Sequence, residues 1–339
     1  MSSQPPRPRS FPSPQPRLQL LLLVAIGCIG AAGLALWQLF RQGEPLALAI
    51  TSWPGYEYLY LAEQKGLGQR HGLELRVRQY SSLADQRQAF VAGDVTALAT
   101  TLPEALAICQ EKPLKCPLLV LVLDESQGAD RLISRITLQT PGQLRGRRVG
   151  LERAVLAEYL LLRSLAGSGV GLDDLQLRFD GPVALVQALQ AGQLDAIVTY
   201  APHDTPLRRD GRFHQLFSSA AIPGEVVDVL AVDPGYARRQ PQQLRALVQT
   251  WWSARDYASR HPEEAIALMA DRQQIEPAQF RQTEQGLRYP EARQQQQLLQ
   301  PQGPLARTLQ RMAQQMQASG RFRPDAPLPS LSAAFLEAP

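Results

Sequence analysis

The 339-residue chain has little cysteine, histidine or lysine, and its first 43 residues contain no acid. Three cysteines (Cys28, Cys109, Cys116) exclude a disulfide-dense scaffold and fit no zinc spacing. The four histidines, His71, His203, His214 and His261, are scattered without ligand spacing, so no metal site is expected. No Gly-x-Ser-x-Gly elbow occurs, and Gly167-Ser168-Gly169-Val170-Gly171 sits between a helical pattern and a strand, the wrong setting for a dinucleotide loop. His203 and Asp204 are chain neighbours, which seldom face one another as an acid–base pair. Neither a cofactor nor a catalytic constellation is expected, and the chain does not read as an enzyme.

Charge points the same way. Lys+Arg 35 against Asp+Glu 31 gives a formal +4, but Arg7, Arg9, Arg17 and Arg41 precede the first acid and account for the whole excess. The remaining body is neutral, which removes the electrostatic argument for a nucleic-acid partner.

The leader carries a different signal. Residues 1–17 are rich in Pro, Arg and Ser and read as a disordered cytoplasmic tail. Residues 18–40 are apolar except for Gln19 and Gln38, and as a helix they would reach about 34 Å, enough to span a bilayer core. Arginines before the segment place the N-terminus inside and the body outside. The segment reads as an uncleaved anchor, as a signal peptide cut near Gly33-Leu34-Ala35, or as a lipoprotein leader ending at Cys28. Each reading puts the body on the periplasmic face of the inner membrane or free in the periplasm. Cys109 and Cys116 flank a turn between a helix and an apolar strand; in an oxidising space they form a short disulfide, or else remain two small buried thiols.

Along the body, short apolar runs alternate with amphipathic stretches, the signature of α/β architecture with largely parallel sheets. Gln88 to Thr100 is echoed 99 residues later by Gln187 to Thr199, with six of thirteen positions identical. Each copy reads as a helix, a Gly cap and a buried strand ending in a Thr, where open α/β sheets place their ligands. The echo predicts two similar lobes sharing a cleft, though helix–Gly–strand units are also common without such kinship. Glu225 to Val232 reads as a long strand, and everything beyond about residue 234 as helix, with Pro241, Pro262, Pro277 and Pro304 opening successive segments. Trp251-Trp252 lies mid-helix, where one ring must face the core.

Four ordered stretches carry a family likeness: Trp53-Pro54-Gly55-Tyr56-Glu57-Tyr58-Leu59-Tyr60-Leu61-Ala62 with Lys65-Gly66-Leu67; Ala92-Gly93-Asp94; Leu144 to Gly150; and Ile222 to Leu230. The chain resembles the extracytoplasmic solute-binding proteins of ABC importers for nitrate, taurine and aliphatic sulfonates, which share their fold with binders of thiamine-pyrimidine precursors. The resemblance spans about residues 46–320. It implies a type II periplasmic-binding-protein fold, with residues 44–130 and 230–339 in one lobe and 136–225 in the other. Two crossing segments, near Asp124 to Arg135 and near Glu225 to Asp233, form the hinge. It also implies a monomer that captures a small polar or anionic solute by closing and delivers it to a permease and its ATPase. An alternative use of the same fold is a membrane-anchored sensor or assembly factor.

Candidate ligand-binding residues follow. Ser52, Trp53, Gly55 and Tyr56 form a loop entering a helix, with backbone N–H groups for a polar group and two rings that either stack on ligand or pack inward. Thr100 and Thr101 end a strand, as ligand hydroxyls or as helix caps. In the second lobe the family's Ser/Thr-rich turn is replaced by Leu151-Glu152-Arg153-Ala154. There Glu152 would repel an anion, and Arg153 either compensates or is a solvated surface group. Tyr200 and His203 stand where the family often has Trp-Glu-Pro or Trp-Asp-Pro, and Asp228 either braces the hinge or faces the cleft. These departures favour a flatter, less charged or heterocyclic ligand.

Overall fold

The structure, a computed structural model, describes residues 45–336. The leader, with its apolar segment and Cys28, lies outside them, and no helix among the described residues is long and apolar enough to cross a membrane.

Buried apolar runs build the strands. In chain order β1 (Leu46–Ile50), β2 (Leu75–Gln79), β3 (Ala97–Thr101) and β4 (Leu118–Ser126) enter one sheet, and β5 (Asp130–Arg135), β6 (Arg148–Leu151), β7 (Gln176–Phe179), β8 (Ala196–Tyr200) and β9 (Phe213–Ser218) form a second. The chain then returns to the first sheet with β10 (Val227–Val232), β11 (Leu287–Arg288) and β12 (Ser330–Leu331). The first sheet runs β11-β4-β10-β3-β1-β2, with β12 also on β4; the second runs β7-β6-β8-β5-β9. The chain therefore passes between the sheets twice, through residues 127–129 and 219–226. Because β4 and β10 are antiparallel neighbours, the two passages start side by side.

Alternation along the strands divides the core of the first sheet. Ala97, Ala99, Leu230 and Val232 face one cluster, covered by the helices Pro241–Arg260 and Pro262–Arg272. Leu98, Val229 and Ala231 face another, covered by Leu305, Leu309, Met312 and Met316 of the helix Pro304–Ala318. These helices open at Pro because its missing N–H is unpaired in the first turn anyway. Trp251 is the ring that turns inward, and Trp252 only packs at the edge of the cluster.

Two expectations are corrected. The chain beyond residue 234 is not purely helical, since β11 and β12 pair with β4; at two residues each they are too short to show alternation. The sheets are mixed, because β10 is antiparallel to β3 and β4, and β5 to β8 and β9. In β9 the apolar residues of Phe213–Ser218 are interrupted by His214 and Gln215, so its strand signal is weak. Of the two cysteine readings, the structure has the disulfide, Cys109–Cys116, tying the end of the helix Leu102–Glu111 to the start of β4.

The echoed segments occupy equivalent places in the two sheets. Gly93 (φ 93°) and Gly192 (φ 77°) take the left-handed conformation that lets each helix stop and reverse into β3 or β8.

Candidate functional site: an acid-lined cleft between the sheets

The loop after β1 is held rigidly. Gln273 Nε2 donates to the Ser52 carbonyl and to Glu57 Oε1, each at 3.0 Å, and Arg272 pairs with the buried Glu57 carboxylate. Gly55 is required by close approach: a Cβ there would lie 2.0 Å from Asp124 Oδ2. Trp53 Nε1 donates to Asp124 Oδ1 at 3.2 Å, and the Tyr56 hydroxyl donates to Asp228 Oδ1.

Asp124 on β4 and Asp228 on β10 are direct cross-strand partners, 0% and 2% exposed. Both carboxyls are raised above the usual range, chiefly by burial; for Asp228 the charge of Asp124 adds to it, and for Asp124 the Trp53 hydrogen bond works against it. Two such groups cannot both ionise at this distance, so the pair holds a proton at neutral pH.

The second sheet contributes two more acids. Asp130 opens β5 opposite Tyr200 of β8, is 4% exposed, and has no hydrogen-bond partner on Oδ2. Burial pushes its pKa up to about 6. Glu152 follows β6; burial raises it to about 7, opposed by its interaction with the Tyr200 hydroxyl. The Tyr200 ring meets Trp53 edge-on across the gap, with centroids 5.8 Å apart and planes at 65°.

Between these groups lies a narrow cavity of about 50 Å³. Asp130, Glu152 and Asp228 supply its charge, Trp53, Tyr56 and Tyr200 its rings, Thr51, Ser81, Ser82 and Thr101 its hydroxyls, and Leu83, Leu156, Leu160 and Val198 its apolar wall. No Lys, Arg or His stands among these wall residues.

Of the residues singled out from sequence, Trp53, Tyr56, Thr101, Tyr200 and Asp228 come together on this wall. The other five stand off it. Ser52 offers its carbonyl to Gln273, and Gly55 backs onto Asp124. Arg153 is exposed, its guanidinium 4.9 Å from the Phe179 ring centroid. His203 borders an outer hollow with Val183, Arg209 and Gln273, and burial lowers its pKa. Thr100 is buried in β3 with its hydroxyl unpartnered, as is Thr199 in β8. The echo therefore places its threonines one residue short of the cleft, and Thr101 and Tyr200 reach it, since successive side chains in a strand face opposite ways. Thr101 also caps the next helix, its hydroxyl accepting from Glu104 N at 3.5 Å. Asp130, Asp124, Ser81 and Ser82 went unmarked in the sequence. The available signal was an acid embedded in each of two apolar strands that flank a sheet crossing.

The two lobes also touch outside the cavity. Glu104, fully buried and ion-paired to Arg87, accepts from Val155 N at 2.5 Å, so a side chain from the first sheet's helix caps the helix Val155–Leu165 of the second.

Known proteins resemble this arrangement. A Brucella abortus protein described as a binding protein is 24% identical over 234 residues, covering 65% of this chain and 69% of its own. The alkanesulfonate-binding protein of Xanthomonas axonopodis pv. citri, solved bound to MOPS, superposes with a TM-score of 0.68 at 19% identity, covering 86% of this chain and 97% of its own. An enzyme shares the fold too: a desulfurization enzyme superposes with a TM-score of 0.59 at 17% identity, covering 86% and 97%. The model of the NMT1-like family matches residues 42–272, well over half of the sequence, and the chain belongs to that family.

Proposed function

We propose that this protein is the extracytoplasmic solute-binding component of an ABC importer, tethered outside the membrane by the apolar segment 18–40 and handing a small organic solute to a permease. The observation that carries this reading is the cavity itself. Its walls come from both sheets, Trp53, Tyr56, Thr101 and Asp228 from one and Asp130, Glu152 and Tyr200 from the other, at the place where the chain crosses twice between them. A cleft so divided closes when ligand bridges its halves, and closure gives a permease a shape to recognise. In this reading Trp53, Tyr56 and Tyr200 line one side of the solute, Thr101 and Asp228 bind its polar edge, and Ser52, Gly55 and Thr100 hold the loop and strand behind them.

A thermal-shift screen over sulfonates, nitrate, bicarbonate, pyrimidines and amines tests this. A true ligand at a hundred times its Kd stabilises by about 2.7 kcal/mol, and small-angle scattering should show the bound form to be no larger than the free one. If no class moves the melting temperature, the receptor reading fails.

A further inference from the structure

The known proteins that share this fold include a sulfonate binder, yet the cavity is built for the opposite charge. Three acids reach its wall and no basic side chain does. Acids gathered in a cleft are commonly satisfied by neighbours, and here Asp228 accepts from Tyr56 and Asp124 behind it from Trp53. Asp130 is different. It is 4% exposed, it lines the cavity, and among the described residues its Oδ2 has no hydrogen-bond partner. Its chain neighbour Arg131 is committed to Asp204. A buried carboxylate oxygen without a donor costs several kcal/mol unless something supplies one. Trp53 and Tyr200 line the same cavity, packed edge-on against each other, and an aromatic face left open there attracts cations. The apolar wall beyond, Leu156, Leu160 and Val198, suits a flat hydrocarbon or heteroaromatic body.

We infer that the solute is an organic cation with a flat, largely apolar body, its charged nitrogen donating to Asp130 and Glu152 and its ring lying among Trp53, Tyr56 and Tyr200. The inference rests on the receptor reading above and narrows it. A sulfonate or nitrate placed in the same cavity would meet Asp130 and Glu152 with no compensating cation.

The test uses the purified chain with charge-reversed probes of one shape: benzamidine, which is a planar cation at neutral pH, and benzenesulfonate, with taurine as a second anionic probe. Titration calorimetry should show benzamidine binding and neither sulfonate binding. Asp130→Asn should weaken benzamidine on the order of thirtyfold, and Glu152→Gln should weaken it independently, with both variants giving the parent's circular dichroism. Tighter binding of either sulfonate than of benzamidine overturns the cation and leaves the receptor standing. Benzamidine binding that is indifferent to both substitutions also overturns it. If benzamidine fails while a neutral pyrimidine from the wider screen binds, the charge assignment is wrong; if nothing in either set binds, the receptor reading falls with it.

Discussion

Asp124 and Asp228 face each other across adjoining antiparallel strands, buried, with Trp53 donating to one and Tyr56 to the other. Like charges placed directly opposite destabilise a sheet unless protonated or paired. The two aromatic donors and a retained proton stabilise this pair, and in doing so they fix both rings in the cleft wall. The site's shape is thus coupled to its protonation.

That coupling sets the pH dependence of stability. Burial holds Asp130 at about 6 and Glu152 at about 7, and raises Asp124 and Asp228. A folded pKa above the unfolded value of about 4 means that the native state binds more protons through the window between them, so stability falls as pH rises there. Asp195 and Asp233, with lowered pKa values, act in the opposite sense only below that window, and His203, lowered by burial, opposes it inside the window as one group against four. The melting temperature of the ligand-free protein is expected to be higher at pH 5 than at pH 8 at equal ionic strength. A flat or rising profile contradicts this.

Asp130→Asn separates stability from function. Burial outweighs the help that the Ser126 hydroxyl and Arg131 give this carboxylate, so its removal is expected to stabilise the ligand-free protein by about 1–2 kcal/mol at pH 7.5, read from urea midpoints, while ligand binding weakens. A destabilised variant would mean that the Ser126 and Arg131 interactions outweigh the cost of burial.

Gly55→Ala tests the packing behind the site. The new Cβ meets Asp124 Oδ2 at 2.0 Å, Asp124 Cγ at 2.6 Å and Trp53 Nε1 at 2.9 Å. Forcing Asp124 and Trp53 apart should cost about 1–3 kcal/mol and weaken ligand binding with no change in the cavity's charge. Parent-like stability and affinity would show that the loop has slack.

Glu104 links the lobes. Glu104→Ala removes the cap on the helix Val155–Leu165 and leaves Arg87 without its buried partner. The expected loss is about 3 kcal/mol, with a larger radius of gyration by scattering as the lobes part. An unchanged radius would place the contact outside the closing motion.

Much of the fold was legible because its signals are local. Pro241, Pro262, Pro277 and Pro304 all open helices where the sequence reading put them, since a fixed φ and a missing N–H act within one turn. Trp53, Tyr56 and Tyr200 were visible as aromatics at strand ends, and Glu152 as an acid where the resemblance leads one to expect hydroxyls. Asp124 and Asp130 were not visible as site residues, because their meaning depends on register. Asp124 matters through Asp228, 104 positions away, and Asp130 through Tyr200, 70 away. The misplaced threonines of the echo have the same origin: a shift of one residue in a strand sends the side chain to the other face.

The most direct measurement of the central claim is the number of protons exchanged when benzamidine binds at pH 6.5, from calorimetry in buffers of different ionisation enthalpy. At that pH Asp130, with Arg131 and Asp204 nearby, and Glu152, with Tyr200 and Glu104 nearby, are each partly protonated. The Asp124–Asp228 pair, beside Tyr56 and Arg255, keeps its shared proton. A bound cation favours the ionised carboxylates, so net proton release is expected, diminished in Asp130→Asn. Proton uptake, or none exchanged, would contradict an acid-lined cleft made for a cation.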